Sequence, residues 1–310
     1  MISIAMATYN GQYYVKDQID SILRQTISDF ELIISDDNST DDTVSIIKSF
    51  TDKRIRFFSN TINVGFVKNF EKALSYCSGE YIAFSDQDDI WEENHLEILL
   101  NQIQGKALSC SNAELIDEFG TKKNVKMSDV LHLKKIPTSN NMLFTLMNKN
   151  FVQGSTILFR SALLKKMLPI PSEIKYHDHW LALFAANNGG VSYTWKSTLL
   201  YRQHSAAITR DKAYTIKDKI KYHRLNKEKI KNTYYYYYCQ SVLFLEREKN
   251  NMSAENLSLL EKQCLYLKYR GTKEKDLRFH AVLFYFRYYT KLYYDKNFIY
   301  FFLRFFSIFF

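Results

Sequence analysis

Four short apolar segments alternate with helix-like segments through the first 85 residues of this 310-residue chain. The apolar segments are residues 2–7, 31–35, 54–58 and 80–84. Between them, apolar side chains recur at the spacing of one helix face. Strands that alternate with helices of this length predict an α/β fold with a mostly parallel, doubly wound, Rossmann-like sheet.

Polar clusters follow three of these four segments, at the points where the strands are predicted to end. They are Thr8-Tyr9-Asn10, Asp36-Asp37-Asn38 and Asp86-Gln87-Asp88-Asp89. In open α/β sheets, ligands bind outside the carboxyl ends of the parallel strands, and the topology brings all three clusters to that edge. Carboxylates this close raise one another's pKa unless a positive charge lies among them. The sequence therefore predicts a site that binds a cation.

The acidic segment 86–89 has two interpretations. Aspartates spaced Asp-x-Asp on a tight turn can present oxygens to one Mg²⁺ or Mn²⁺ ion, with a bound diphosphate completing the coordination. The alternative is a solvated acidic turn, and the preceding apolar strand and Trp91 argue against it. For Asp36 and Asp37, helix capping is an equal alternative. Asp89 is predicted to cap the helix that follows.

The remaining chain divides by pattern into three parts. Residues 105–150 are polar and show no firm periodicity. A strand interrupted by a glycine is predicted over 151–159, a helix over 177–190, and short strands over 191–195 and 198–204. From residue 211 onward the pattern is helical, basic and aromatic.

Charge is distributed unevenly along the chain. Residues 1–210 contain 22 Lys and Arg against 23 Asp and Glu, whereas residues 211–310 contain 20 against 10. The four cysteines show neither CxxC nor metal-ligand spacing, which predicts free thiols in a reducing compartment. No basic and apolar leader opens the sequence. We therefore expect the body of the protein in the cytoplasm.

Six short motifs occur along the chain in the order ATYNG, ISDDNSTDDT, NVGFVKNFEKAL, FSDQDDIW, HDHW and YRQH. In this order and spacing they resemble the inverting family 2 glycosyltransferases of GT-A fold. The resemblance is closest to the bacterial rhamnosyltransferase-like branch that builds capsule and O-antigen chains. It implies a GT-A catalytic domain over 1–210, with a nucleotide-binding half at 1–104 and an acceptor-binding half at 105–210. A helical C-terminal region follows at 211–310.

The resemblance implies how the polar clusters bind a nucleotide sugar. In the family, the loop after the first strand lines the nucleotide pocket, and the loop after the second holds the base or ribose. The matching residues here are Thr8, Tyr9 and Asn10, and then Asp36 and Asp37. The Asp-x-Asp motif contacts the donor and its metal, so Asp86 and Asp88 are predicted to hold Mn²⁺ or Mg²⁺ on the donor diphosphate.

The later motifs match the family's reacting groups. Asp178 in HDHW falls where the family keeps its catalytic base, and inverting transfer needs such a base to take the acceptor hydroxyl's proton. His204 in YRQH matches a position near the metal and the diphosphate. Gln153 and Gly154 match a stretch that borders the acceptor, and with Arg202 they complete the predicted nucleotide-sugar contacts.

Two of these residues also have purely structural interpretations. Without the resemblance, Asp178 is better explained as a carboxylate favoured by a helix N-terminus, and His204 can equally be a structural histidine near a strand end. The chain also departs from the family pattern. His179 stands where relatives commonly have Trp, and Ser205-Ala206-Ala207 stands where they often have Gly-Asn. The metal role of His204 is therefore left open.

The C-terminal residues 271–310 contain 16 aromatic side chains interleaved with basic ones. Their most apolar run, FIYFFLRFFSIFF, has 13 residues and includes Arg304, whereas a membrane span needs about 20 apolar residues. We expect interfacial helices that dock on an anionic membrane surface. The alternative is a helical bundle packed on the catalytic body or on a second subunit. No nucleic-acid-binding motif accompanies the charge.

Together these features predict a metal-dependent inverting glycosyltransferase, peripheral on the inner face of the plasma membrane. Its donor would be dTDP-L-rhamnose, or else UDP-glucose or UDP-galactose, and its acceptor a growing, lipid-linked cell-surface saccharide. One alternative is a sugar-nucleotide nucleotidyltransferase, against which the lack of a Gly-rich, basic phosphate loop near the first strand argues. Another is a catalytically inactive, membrane-bound scaffold of the same fold. A homo-oligomer is compatible with the sequence.

Overall fold

The computed structural model describes residues 1–204 and 225–292, with the side chains of 139–140 and 289–292 left out. Within these ranges the chain forms two compact units. The sheet unit contains residues 1–131 and 152–204, and the helical unit contains residues 132–151 and 225–292. Residues 132–151, assigned by sequence to the catalytic domain, therefore group with the C-terminal helices.

The sheet unit contains a mixed sheet of nine strands. In chain order these are β1 (Ile2–Thr8), β2 (Phe30–Asp36), β3 (Ile55–Ser59), β4 (Tyr81–Ser85), β5 (Ile90–Trp91), β6 (Leu108–Ile116), β7 (Lys122–Lys126), β8 (Ile157–Arg160) and β9 (Val191–Arg202). They lie in the order β3-β2-β1-β4-β8-β6-β9-β5, and β7 pairs with β6. Strands β1 to β4 pair in parallel, which confirms the predicted parallel half. Strand β8 runs antiparallel to both β4 and β6.

The described α-helices are divided between the two units. In the sheet unit they are α1 (Val15–Leu23), α2 (Thr43–Lys48), α3 (Phe66–Ser75), α4 (His95–Gln102), α5 (Met127–Val130), α7 (Leu164–Met167) and α8 (His177–Asn187). In the helical unit they are α6 (Ser139–Leu146), α9 (Lys227–Glu248), α10 (Ala254–Thr272) and α11 (Arg278–Leu292). Helices predicted before the second, third and fourth strands and at 177–190 are thereby confirmed.

The core of the sheet unit lies between the parallel strands and their covering helices. Ile19 and Ile22 lie three residues apart, so both point from one face of α1 into a cluster with Ile4 and Ile34. All four side chains are fully buried, and such burial contributes about 1.5–3 kcal/mol per large aliphatic side chain. This packing holds the carboxyl ends of β1, β2 and β4 at one edge of the sheet.

The structure corrects two strand predictions and adds two strands that the sequence did not predict. Residues 191–202 form the single strand β9 instead of two strands, with register shifts against β6 where the prediction placed a break. The unassigned stretch 105–150 contains β6 and β7. The strand predicted over 151–159 begins only at Ile157, because residues Gly154–Thr156 form a 3-10 turn.

In the helical unit, α9 packs on α10, α10 packs on α11, and α6 packs on α11. A Cβ atom at Gly271 would lie 2.7 Å from the backbone nitrogen of Tyr235, so the close approach of α9 and α10 requires glycine there. The helical prediction is confirmed for residues 225–292, whereas residues 205–224 and 293–310 lie outside the described residues. No described helix is both long and apolar enough to cross a bilayer.

Candidate active site

Parallel pairing of β1 and β2 places Thr8 directly opposite Asp36 at the carboxyl edge of the sheet. The Thr8 hydroxyl donates to Asp36 Oδ1 at 2.9 Å, and the backbone N–H of Ser39 donates to Asp36 Oδ2 at 2.9 Å. Asp36 is fully buried. Its carboxylate therefore shapes the loop after β2, and its contact with a nucleotide stays a prediction.

Asp37 joins the loop after β2 to the loop before α3. Its Oδ1 accepts from Asn60 Nδ2 at 2.8 Å and from the Val64 N–H at 2.9 Å. Its Oδ2 accepts from the Gly65 N–H at 2.8 Å. Gly65 has φ +85°, a backbone conformation that favours glycine. Asp37 thus fixes the shape of this part of the strand-end edge, while its contact with base or ribose is untested.

The loop after β1 is tied to the acidic turn by Gln87. The Tyr9 N–H donates to Gln87 Oε1 at 2.9 Å, and Gln87 Nε2 donates to the Tyr9 carbonyl at 3.0 Å. Asn10 lies next to it with φ +48° and accepts the Thr40 N–H through its side chain. The Tyr9 side chain is 46% exposed and so is accessible to a ligand. Gln87 was not assigned a role by sequence, because a lone glutamine between aspartates gives no signal of its own.

On the acidic turn after β4, the carboxyl group of Asp86 lies within electrostatic range of three others, two on the same turn and one, Asp178, on α8. Partial burial raises the pKa of Asp86 well above its ordinary value, and Asp89, Asp88 and Asp178 raise it further, in that order. Burial and then Asp88 raise the pKa of Asp89. A cation placed among these groups would lower the pKa of both Asp86 and Asp89, because it stabilises their charged forms. The three aspartates of the turn thus lie close to one another, and their role in holding a metal stays a prediction.

His204 lies against the second aspartate of the turn. Its Nε2 is 2.8 Å from Asp88 Oδ2, and its ring centroid is 4.7 Å from that of Tyr14. The His204 side chain is 9% exposed and that of Asp88 is 20% exposed. A carboxylate oxygen and an imidazole nitrogen, both possible metal ligands, therefore lie side by side at the acidic turn, where the sequence predicts the metal.

Arg202 and Asp89 hold the acidic turn in place through hydrogen bonds. The Arg202 N–H donates to Asp89 Oδ1 at 3.0 Å, and Arg202 Nε donates to the Asp88 carbonyl at 2.8 Å. The guanidinium also lies 4.8 Å from the centre of the Tyr14 ring. The prediction that Asp89 caps a helix is wrong, since α4 begins at His95 and its N-terminal flanking residue is Asn94. Asp89 is instead the buried partner of the strand that carries Arg202.

Asp178 lies in the first turn of α8, close to Gly154. Burial raises the pKa of Asp178 to about 6, although backbone hydrogen bonds from His179 and Gly154 act in the opposite direction. A Cβ atom built at Gly154 would lie 3.7 Å from Asp178 Oδ2. Gln153 precedes this glycine and accepts two hydrogen bonds from Thr156 through its carbonyl. Gly154 thus borders the Asp178 carboxylate, and the contact of residues 153–154 with the acceptor stays a prediction.

His177, next to Asp178, was not singled out by sequence. Its ring stacks on Phe70 at 3.9 Å and meets Phe84 edge-on at 4.6 Å. Burial lowers the pKa of His177 to about 3, so the imidazole is neutral at physiological pH. It anchors the start of α8, and therefore Asp178, to the aromatic side chains of α3 and β4.

The side chains that could hold a divalent metal are Asp86, Asp88 and His204. Among the described residues, no three His, Cys, Asp or Glu side chains already converge on one metal position. Carboxylate oxygens are ligands that Mg²⁺ and Mn²⁺ prefer, and Mg²⁺ is commonly bound by one or two carboxylates together with substrate phosphates. The donor set therefore fits a metal that shares its coordination with a diphosphate.

Comparison with known sequences identifies the family. Residues 3–168 match the family described as glycosyl transferase family 2. The E. coli protein WfgD, a UDP-Glc:alpha-D-GlcNAc-diphosphoundecaprenol beta-1,3-glucosyltransferase, is 30% identical over 221 residues, 70% of this chain and 83% of WfgD. The dTDP-rhamnosyl transferase RfbG of Shigella flexneri is 27% identical over 238 residues, 71% of this chain and 78% of RfbG.

Solved structures show the same fold. TarS residues 1–349 of S. aureus, in complex with UDP-GlcNAc, has a TM-score of 0.59 at 18% identity and covers 94% of this chain and 81% of its own. The mannosyltransferase PcManGT of Pyrobaculum calidifontis, in complex with GDP-Man and Mn²⁺, has a TM-score of 0.54 at 14% identity. The match covers 96% of this chain and 88% of PcManGT. With the family match, these likenesses confirm the GT-A fold predicted from the motifs. The chain belongs to glycosyl transferase family 2 and is a glycosyltransferase that takes its sugar from a nucleotide-sugar donor.

Proposed function

We propose that this glycosyltransferase is metal-dependent and inverting, and that it moves a hexose from a nucleoside diphosphate to a lipid-linked saccharide. The observation that carries the proposal is the group of carboxylates formed by Asp86, Asp88 and Asp178. Two of them lie on the turn after β4 and the third opens α8. This arrangement supports a site in which the turn would bind the cation and Asp178 would accept the proton.

Asp178 acts as the general base. Its carboxylate takes the proton of an acceptor hydroxyl, whose oxygen then bonds to the anomeric carbon of the donor sugar. The bond from that carbon to the diphosphate breaks, and its electron pair leaves with the nucleoside diphosphate. Because attack and departure occur on opposite faces, the anomeric configuration inverts. A pKa of Asp178 near 6 leaves the carboxylate ionised at neutral pH and more basic than an ordinary aspartate.

The acidic turn holds the leaving group. Asp88 and Asp86, with His204 as the third candidate, would bind Mn²⁺ or Mg²⁺ beside the donor diphosphate. The ion, when bound, neutralises the charge that develops on the departing diphosphate. Arg202 keeps the turn in place through the Asp88 carbonyl and the Asp89 carboxylate. Gln87 and Tyr9 connect the turn to the loop where the nucleotide is expected.

The names of two sequence relatives support a pyrimidine nucleotide sugar as the donor. WfgD uses UDP-Glc and RfbG is a dTDP-rhamnosyl transferase, as their names state. We propose UDP-glucose and dTDP-L-rhamnose as the first donors to test, followed by UDP-galactose. The acceptor of WfgD is a sugar on diphosphoundecaprenol, and the acceptor proposed here is of the same chemical class, a saccharide on a lipid diphosphate.

Donor hydrolysis tests this function. The purified protein is incubated with each nucleotide sugar and Mn²⁺ or Mg²⁺, and the released nucleoside diphosphate is measured. We expect release with one donor, and its loss with EDTA. Release of pyrophosphate from a nucleoside triphosphate and a sugar phosphate would instead indicate a nucleotidyltransferase. If no donor turns over even with lipid-linked acceptor present, the protein is a scaffold of the same fold and the proposal is wrong.

A further inference from the structure

Helix α11 has one face buried within the helical unit. Ala281, Phe284 and Tyr285 are all at most 5% exposed. The Phe284 ring lies 5.4 Å from that of Tyr266 on α10 and 6.0 Å from that of Phe144 on α6. These contacts fix the rotation of α11 about its own axis. The side chains on its opposite face are therefore presented outward by the packing.

That opposite face carries large apolar side chains. Phe279 is 68% exposed, Leu283 is 53% exposed and Phe286 is 52% exposed. Their spacing of four and three residues places them within an arc of about 60° on a helix with 3.6 residues per turn. Three large apolar side chains in one row form a contiguous patch, which on a soluble surface marks a site of interaction.

Basic side chains flank this row on both sides. On the same helical geometry, Arg278 lies about 110° to one side of the row's centre and Arg287 about 70° to the other. Both residues are exposed. The sequence of α11, RFHAVLFYFRYYTKL, contains three Lys or Arg and no Asp or Glu. An apolar row between basic edges is typical of helices that lie in the plane of a membrane interface.

Further basic residues gather where α10 ends and α11 begins. Partial burial and then Arg270 lower the pKa of Lys273 to about 8, and Arg278 and Lys227 act in the same direction. The Arg270 guanidinium lies 3.7 Å from the centre of the Tyr234 ring. These positive groups repel one another, and phosphate groups brought to this end of the helical unit would relieve the repulsion.

We propose that the face of α11 formed by Phe279, Leu283 and Phe286 docks on a lipid bilayer that contains anionic phospholipids. The apolar row would lie at the boundary between headgroups and acyl chains, with Arg278 and Arg287 against lipid phosphates. The inference narrows the expected membrane contact of residues 271–310 to one helix face. It is independent of the reaction proposed above.

Charge complementarity favours a lipid surface over a second copy of the chain. In a two-fold dimer each partner presents the same patch, so basic edges of two α11 helices would come together without acidic side chains from either helix. Like charges at an interface core are unfavourable. An anionic bilayer supplies the opposite charge along both edges and an apolar layer for the row between them.

Vesicle flotation with the full chain tests the proposal. We expect the protein to float with phosphatidylcholine vesicles that contain phosphatidylglycerol, and to remain at the bottom of the gradient with phosphatidylcholine alone. Phe279→Ser/Leu283→Ser/Phe286→Ser should lower the partition coefficient at least tenfold, to about the level of non-specific charge attraction. Arg278→Gln/Arg287→Gln should lower it roughly 30-fold, at about fivefold for each charge removed.

Leu225→Ser/Leu265→Ser is the matched control, because both leucines are exposed in the helical unit and lie outside α11. Its partition coefficient should equal that of the unchanged protein. Circular dichroism and donor hydrolysis should be the same for all variants, since the substituted side chains are exposed. A protein that ignores anionic vesicles, or a triple variant that binds them normally, overturns the proposal. A halved mass of the triple variant in light scattering would show that the face holds a second copy instead.

Discussion

Two hydrogen bonds join Gln87 to Tyr9: the Gln87 carboxamide accepts from the Tyr9 N–H and donates to the Tyr9 carbonyl. This pairing joins the loop after β1 to the turn that carries Asp86 and Asp88, although the two segments lie 78 residues apart. The Gln87 carboxamide also occupies the space where a side chain at Gly11 would begin. The ATYNG and FSDQDDIW motifs are therefore coupled through one amide group.

Gly11→Ala should displace this carboxamide. A Cβ atom there would overlap the end of the Gln87 side chain, which would turn away and give up its two hydrogen bonds to Tyr9. We therefore expect the free energy of unfolding to fall by about 1 kcal/mol and the donor KM to rise. Gly11→Ala/Gln87→Ala should be less damaged than the sum of its single variants, because the second change removes the overlap. Thermal unfolding and donor titrations measure this coupling. Effects that add within about 0.5 kcal/mol would show that the two positions are independent.

Asp178→Asn should abolish transfer while preserving donor binding. The amide cannot accept the proton of the acceptor hydroxyl, and loss of a general base typically costs about 10²–10⁴-fold in kcat. The donor Kd, measured by calorimetry with Mn²⁺, should stay within about twofold. Asp20→Asn removes an exposed ion pair with Lys16 on α1 and serves as the control. Transfer at the unchanged rate by the Asp178 variant would refute its role as the base.

The rate of transfer should depend on pH through Asp178. Burial raises the pKa of this carboxyl to about 6, and only the deprotonated form accepts a proton. We therefore expect kcat/KM to fall tenfold per pH unit below about pH 6 and to be level above it. A pH–rate profile at saturating donor measures this acidic limb, the pH range over which kcat/KM falls. A limb near pH 4, where an ordinary aspartate titrates, would mean that water reaches the carboxylate freely.

Stability should fall with acid partly through His95. This histidine is fully buried, its Nδ1 lies 2.7 Å from Thr198 Oγ1, and burial lowers its pKa to about 3. The folded protein then binds fewer protons than the unfolded chain between pH 3 and about 6.5. The contribution is present above pH 6.5 and is lost as the pH falls toward 3, by up to about 1.4 kcal/mol per unit.

Urea denaturation at several pH values measures that dependence. His95→Gln should flatten the slope of stability against pH between 4 and 6, whatever its effect on stability at neutral pH. His280→Gln replaces an exposed histidine of α11 and should leave the slope unchanged. Equal slopes for the unchanged protein and the His95 variant would contradict a neutral, buried imidazole.

The parallel half of the fold was predictable because its signals are local. Strands β1, β2 and β4 are apolar runs, and α1 and α3 repeat their apolar residues at helical spacing. Strand β6 gave no such signal because its buried positions include Ser109 and Asn112. These polar side chains are accommodated by hydrogen bonds to Leu99 and Ser128, which lie 10 and 16 residues away on neighbouring helices. Burial of that kind depends on tertiary partners that a local pattern does not contain.

The candidate active site likewise contains residues whose positions follow from local sequence signals and residues whose positions depend on tertiary contacts. Parallel pairing let the sequence place Asp36 and Asp86 at one edge, since strand ends meet there irrespective of side-chain detail. The positions of Asp89 and His177 depend on Arg202, Phe70 and Phe84, which come from other elements. Asp89 was accordingly misassigned as a helix cap, and His177 went unnoticed beside Asp178.

The link from Arg202 back to the acidic turn has a consequence for how the protein is made. Asp88 and Arg202 are 114 residues apart, which at about 5–20 residues per second is roughly 6–23 s of synthesis. During that time β5 lacks its partner β9, and the turn lacks the side chain that holds it. The loops after β1 and β2 are complete in the nascent chain well before Arg202 is made, so the strand ends that carry Thr8 and Asp36 form first and the acidic turn is fixed last.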